Sequence, residues 1–352
     1  MFFSVIFLIT MSLVAIYSIA LSQENPDFYY FKRQLLFLGI GLLLIFVFSF
    51  LDYKIFKVYS WFLYILSIVL LVLVLFFGSE IRGTTGWFNI LGFGIQPVEL
   101  AKLSLICVLS KYFSNKQKEI DQKKYILYSG LLAILPVGLV LLQPDLGSAL
   151  VMFTIWFCFL LIFGIKKSYI LGIVLILIAS FLFSWFLLFK DYQKERILTF
   201  IDPARDPLGR GYNVTQSIIA VGSGNLYGRG LGEGSQSQLK FIPESQTDFI
   251  FAVIAEELGL VGTLLTLFFF FTLYFRLIKA AKKARDNFSL YLILGITVLF
   301  FTQMMVNIGM NIGILPVTGI SLPFVSYGGS FLIICLVLVG IAESFIIRNE
   351  VI

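Results

Sequence analysis

The sequence predicts an all-α fold: a polytopic membrane protein of about ten transmembrane helices with one large extracytoplasmic loop. Three observations predict it. Hydrophobic residues make up 59% of the 352-residue chain and charged residues only 13%, against roughly 25% charged in an average soluble domain. Apolar runs recur along the chain, most of them near the ~20 residues that a helix needs to cross a bilayer. Between them, residues 190–247 form a segment rich in charge, Gly and Pro that must sit in water. Residues 1–352 therefore read as one integral-membrane domain, with 190–247 as the large loop within it.

The first run, 3–21, lacks a basic leader and a small-residue cleavage site, so it reads as a retained helix. Runs at 35–51 and 59–77 follow. The fourth, 98–113, opens with Gln96-Pro97, where Pro suits a first helical turn because its missing N–H would have been unpaired there. After 125–142, Gln143-Pro144-Asp145 echoes that start and opens 146–163. The run 169–189 leads into the polar segment, which closes with Pro243, Glu244, Ser245, Gln246 and Thr247 before Asp248 and the run 249–275. The last spans are 289–312 and 327–347.

Orientation follows from basic residues in the short loops. One side carries Lys54 and Lys57, Lys111 through Lys124, Lys166 and Lys167, Arg276 through Arg285, and Arg348; the other short loops hold only Lys32, Arg33 and Arg82. Both termini are thus expected in the cytoplasm, with 190–247 outside. This bias accounts for the net charge of +6, so no nucleic-acid partner is needed. Histidine is absent, which excludes Ser-His-Asp and Cys-His chemistry and a haem or zinc site with its usual ligand. Cys107, Cys158 and Cys335 all lie in apolar runs without metal-like spacing and read as small buried hydrophobes.

Acid–base work must therefore fall to carboxylates, Lys or Tyr. Asp248 stands where the large loop enters an apolar helix, a costly place for a carboxylate without a partner or a task. Glu99 and Lys102 share a helix face, either as a structural ion pair or lining a cavity with Asp248. Asp145 is either an N-cap or a member of the same cavity. Eight residues on from Asp248, Glu256 returns to within about 80° of its direction, and Glu257 points away. A role for Glu256 in helix packing is as reasonable as one in chemistry. In 311–330, Pro316, Gly319 and Pro323 disfavour continuous helix, and Ser326-Tyr327-Gly328-Gly329-Ser330 permits close backbone approach. That loop lines a cavity or is a plain surface turn. The glycines of 222–235 lack the context of a phosphate loop.

These segments together resemble the SEDS family (shape, elongation, division and sporulation) of RodA/FtsW type. The likeness runs through GWFNILGFGIQPVELAK, LQPDLGSAL, RILTFIDPARDPLGRGYNVTQS, GSGNLYGRGLGEGSQSQLKFIPESQTDFIFAVIAEELGLVG and NIGMNIGILPVTGISLPFVSYGGS. GYNVTQS and SQSQLKFIPE look more like the elongation branch, RodA. The resemblance implies a peptidoglycan glycosyltransferase of the bacterial cytoplasmic membrane that joins lipid II into lipid-linked glycan. Its transpeptidase partner would be a class B penicillin-binding protein. Asp248 matches the family's essential aspartate, and Glu99, Lys102 and Asp145 match polar positions of its cavity. The chain departs from the pattern at Gln246, where His is usual, at Gly86, where Arg is common, and at Val98, where Ser is usual.

With Asp248 as general base for a sugar hydroxyl, the pyrophosphate leaving group needs cations. Candidates are Lys102, Arg82, Arg196, Arg205 and Arg210, with Glu244 and Ser326 as further cavity residues and a divalent cation, Mg or Mn, held by carboxylates. The insert arginines could equally face lipid headgroups. A transporter (flippase) of a lipid-linked precursor is the alternative, since intramembrane charges and broken helices also suit transport. A purely structural scaffold would leave Asp248 without a role.

Overall fold

The computed structural model describes residues 1–21, 26–81, 83–90, 93–115, 122–187, 194, 198–206 and 209–350. Its long helices are α1 (Phe2–Leu21), α2 (Tyr29–Phe50), α4 (Ser60–Phe77), α5 (Pro97–Ser114), α6 (Gln122–Leu142), α7 (Leu146–Phe163), α8 (Lys167–Leu187), α11 (Ile250–Lys282), α12 (Asn287–Asn311) and α13 (Gly329–Glu350). Eight of the described helices are long and apolar enough to cross a membrane. Beyond those eight, α5 carries Glu99, Lys102 and Lys111, and α8 is apolar over Lys167–Phe183. This is a multi-pass membrane protein, and each of the ten apolar runs coincides with one of these long helices.

Helix starts follow local chemistry. Pro97 occupies the first turn of α5 behind an extended Gln96. Asp145 caps α7 by accepting from Ser148 N at 2.9 Å, and Asp286 caps α12 by accepting from Ser289 N at 3.1 Å. The α7 helix ends at Gly164 with φ 81°, the left-handed conformation that Gly adopts without a Cβ penalty. At the centre, α5 packs against α4, α12 and α7, while α13 pairs along α2. Phe113, Phe159, Phe163 and Tyr291 meet there as an aromatic group.

One element has no counterpart in the sequence reading. Three short strands, β1 (Ser79–Ile81), β2 (Thr84–Ile90) and β3 (Phe93–Ile95), form an antiparallel sheet, with Ser79 opposite Trp87 and Phe88 opposite Ile95. It is tied to the bundle where Ser330 Oγ donates to Gly94 O at 2.7 Å.

The described residues from 209 to 247 fold onto the bundle. After a single 3-10 turn at Pro203–Arg205 come α9 (Arg210–Ser223), which packs on α11 and α12, and the short α10 (Ser235–Gln238); a five-residue α3 (Lys54–Val58) lies at the other end of α2. The α11 helix is broken at Gly259, with φ 64° and ψ −158°. The glycine-rich residues 224–230 fill that break. Arg229 N and Gly230 N donate to the carbonyls of Glu256 and Glu257 at 2.9 and 3.1 Å, and Leu260 N and Val261 N donate to Asn225 O and Leu226 O at 2.9 and 3.1 Å. Every backbone group released by the break at these four positions is thereby paired, which is the condition for irregular backbone among membrane helices. A Cβ on Gly224 would stand 1.9 Å from Ala255 O, and one on Gly228 would stand 2.1 Å from Glu257 O, so glycine is required for the approach.

Candidate active site around Asp248

Asp248 lies two residues before α11, in a turn begun by Pro243 and Glu244. Thr247 N donates to Glu244 O at 3.1 Å, closing that turn. The backbone of the turn is then gripped from two sides. Ser326 Oγ donates to Thr247 O at 2.6 Å, and Tyr327 N donates to Gln246 O at 2.8 Å. From α12, Asn307 Nδ2 and Asn311 Nδ2 each donate to Asp248 O at 3.0 Å. Residue 248 itself stays partly exposed while Thr247 and Phe249 on either side are buried.

The loop after α12 supplies the facing wall. Gly319, at φ +73°, is placed so that a Cβ there would lie 3.8 Å from Asp248 Oδ2. Asn307 Nδ2 also donates to Ile320 O at 2.8 Å, fixing that loop. The start of α7 abuts the same loop: a Cβ on Gly147 would stand 2.5 Å from Thr318 O and 2.9 Å from the Ile320 side chain. Asp145 caps the helix whose start meets the loop that faces Asp248. Glu244 lines a cavity of ≈ 250 Å³ with Ile16, Tyr30, Lys240 and Gln246, beside the same turn.

Glu99 and Lys102 form an ion pair, Nζ to Oε1 at 2.8 Å, with both side chains buried. The α5 helix that carries the pair also packs against α13. Burying two charges is tolerable because each answers the other. Among the insert cations, Arg205 sits 3.5 Å from Asp202 with both side chains about half exposed (51% and 55%). Arg210 begins α9, and its side chain lies outside the described ones. Arg82 and Arg196 lie outside the described residues.

Glu256 takes the packing role of its two alternatives. Its carboxylate accepts from Gln236 N at 2.8 Å and Ser237 N at 3.0 Å, capping α10. Glu257 accepts from Ser18 Oγ at 2.7 Å and Gln238 Nε2 at 3.0 Å. Among the described residues no group of three or more Asp, Glu, His or Cys is placed to hold a metal ion.

Three polar residues near Asp248 escape a reading built on charge. Besides Asn307 and Asn311, Gln34 of α2 is fully buried; its amide donates to Ser12 Oγ at 3.3 Å and Ser326 O at 3.4 Å, and it accepts from Gly328 N at 3.4 Å. Their signal in the sequence is an uncharged amide inside an otherwise apolar span, with NIGMN placing two amides one turn apart.

A family model described as "Cell cycle protein" (FtsW, RodA, SpoVE) matches residues 1–349. The chain is 38% identical to stage V sporulation protein E of Bacillus subtilis, over 95% of this chain and 92% of that one. It is also 38% identical to peptidoglycan glycosyltransferase MrdB of Escherichia coli K12, over 92% and 87%. A chain solved in work on the structural coordination of polymerization and crosslinking by a peptidoglycan synthase complex superposes with TM-score 0.83 at 36% identity, covering 99% and 98% of the two chains. The rod shape determining protein RodA of Thermus thermophilus superposes with TM-score 0.72 at 31% identity, over 97% and 94%. With a fold and sequence shared along nearly its whole length, this chain belongs to the FtsW/RodA/SpoVE family, the SEDS proteins.

Proposed function

We propose that this chain is a peptidoglycan glycosyltransferase that polymerises lipid II at the outer face of the bacterial cytoplasmic membrane, with Asp248 as general base. The observation that carries the reading is the asymmetry at Asp248: its backbone is held by α12 while the residue remains partly exposed beside Gly319. A carboxylate so held is suited to proton transfer in one fixed direction. Asp248 takes the proton of the acceptor sugar hydroxyl as that oxygen attacks the anomeric carbon of the donor. The donor's bond to its lipid pyrophosphate breaks, and the pyrophosphate leaves with the electron pair.

Lys102 is buried against Glu99 at 2.8 Å, whereas Arg205 is half exposed in a looser pair with Asp202 at 3.5 Å, so neutralising the leaving group falls chiefly to arginines of the insert, Arg196, Arg205 and Arg210, and to Arg82. With ten spans, cytoplasmic termini and an outward 190–247 segment, which the positive-inside bias supports, these groups would lie on the side where lipid-linked sugars meet. A class B penicillin-binding protein would be the crosslinking partner, in keeping with the synthase complex that contains the similar solved chain. The RodA-like motifs favour a role in elongation.

The feature that speaks for a transporter is the broken α11. Its gap is filled by residues 224–230 with their hydrogen bonds paired, which leaves a glycosyltransferase as the better reading. The deciding measurement uses the purified full chain in detergent or vesicles with labelled lipid II. Glycan polymer from the wild type and a loss of at least about 10²-fold in folded Asp248→Ala are expected; equal polymer from that variant would sink the assignment.

A further inference from the structure

We infer that Asn307 and Asn311 are positioning residues that aim Asp248 out of the helix it precedes; this rests on Asp248 being the base proposed above. In an uninterrupted helix the carbonyl of residue 248 would accept from the amide four residues on, Ala252 N. Here Ala252 N instead donates to Phe249 O at 3.0 Å and to Asn311 Oδ1 at 3.1 Å. The Asp248 carbonyl turns to the two asparagine amides, each at 3.0 Å. The ladder of α11 therefore starts after residue 248.

A pair of amides one turn apart does this. Both converge on one carbonyl because i and i+4 lie on the same face of α12. Each amide nitrogen also uses a second N–H: Asn307 on Ile320 O at 2.8 Å, and Asn311 on Asn307 O at 2.8 Å. Asn307 thus ties Asp248 and the Gly319 loop to a single atom, and the spacing between the carboxylate and its facing wall is set by one side chain. Both asparagines are completely buried. Aspartate there would turn acceptors toward these carbonyls, and leucine would leave them unpaired.

A shift of the base by ~1 Å costs about 10²-fold in rate even when the altered residue is away from the chemistry. Full-length Asn307→Asp, Asn311→Asp, Asn307→Ala and Asn307→Gln are assayed with labelled lipid II beside wild type and Asp248→Ala. The expected result is a kcat lower by about 10²-fold with KM for lipid II within about threefold of wild type. The milder Asn307→Gln, which keeps the amide but displaces it by one methylene, decides the matter if the others do not fold. A kcat within about threefold of wild type in the folded variants, or a loss carried by KM, overturns this inference while leaving the function of Asp248 intact. Full activity in Asp248→Ala overturns both.

Discussion

The helices α5 and α8 have similar length and opposite surroundings. Along α5, Leu105, Ile106, Cys107, Val108 and Leu109 are fully buried, and so are the charged Glu99 and Lys102 to within a few per cent. No described side chain of α8 is buried, and Leu171, Ile176 and Phe186 are 60%, 66% and 74% exposed. The less apolar helix is the inner one. In water the reverse would hold, but lipid removes the drive to hide Leu and Phe, and what must be hidden is charge and hydrogen-bonding capacity. Apolarity in this chain marks contact with the membrane, and polarity within a span marks the interior.

The sharpest way to break that comparison is to unbalance the inner pair. Lys102→Ala leaves the Glu99 carboxylate buried without its 2.8 Å partner, and a loss of about 3–5 kcal/mol in unfolding stability is expected. Glu99→Gln combined with Lys102→Met should recover most of it, as read by thermal unfolding in detergent.

A smaller effect is expected at Asp286, which stands between the helices α11 and α12. Burial there raises its pKa, but hydrogen bonds from the Ser289 side chain and backbone and from Tyr53, together with the Lys57 charge, outweigh it and hold the carboxyl below its ordinary 3.8. On the other side of the bond, burial and then Asp286 push the Tyr53 phenol up to about 12. A depressed carboxyl contributes stability that is present above the unfolded pKa and lost as pH falls through the folded one. Asp286→Ala should therefore cost about 1 kcal/mol at neutral pH, a difference that shrinks on acidification below pH ~4. Midpoints of denaturant unfolding at two pH values would check it. The smallest effect belongs to α8. Leu175→Ala and Ile176→Ala trade one lipid contact for another, and shifts below about 0.5 kcal/mol are expected; a loss of several would mean that α8 packs against a partner.

The same contrast explains what could be read from the sequence. Long apolar runs and the helix-start residues Pro97 and Asp145 mark helices because they act locally. The sheet at 79–95 was not legible because its strands are short and lie between two spans whose hydropathy dominates. Asp248, Glu99 and Lys102 stood out by cost, since a charge beside lipid needs a reason. The amides of Gln34, Asn307 and Asn311 did not, because an uncharged amide raises no such alarm and its partners lie up to 294 residues away. The helical wheel put Glu256 on the side of Asp248, yet its carboxylate is occupied by the amides of α10, a segment whose return to α11 no periodicity announces.

The filled break at Gly259 also bears on how this chain can be recombined with its relatives. Residues 224–230 serve as the missing turn of a helix that the chain has yet to make when they are synthesised. Loop and helix are in this respect a single module interrupted by the 25 residues 231–255. A chimera that exchanges the extramembrane segment alone would strand four backbone groups of its host, whereas one that carries 224–261 across as a block keeps them matched. Substitutions in either strand of this joint should consequently be tolerated in combination more readily than singly.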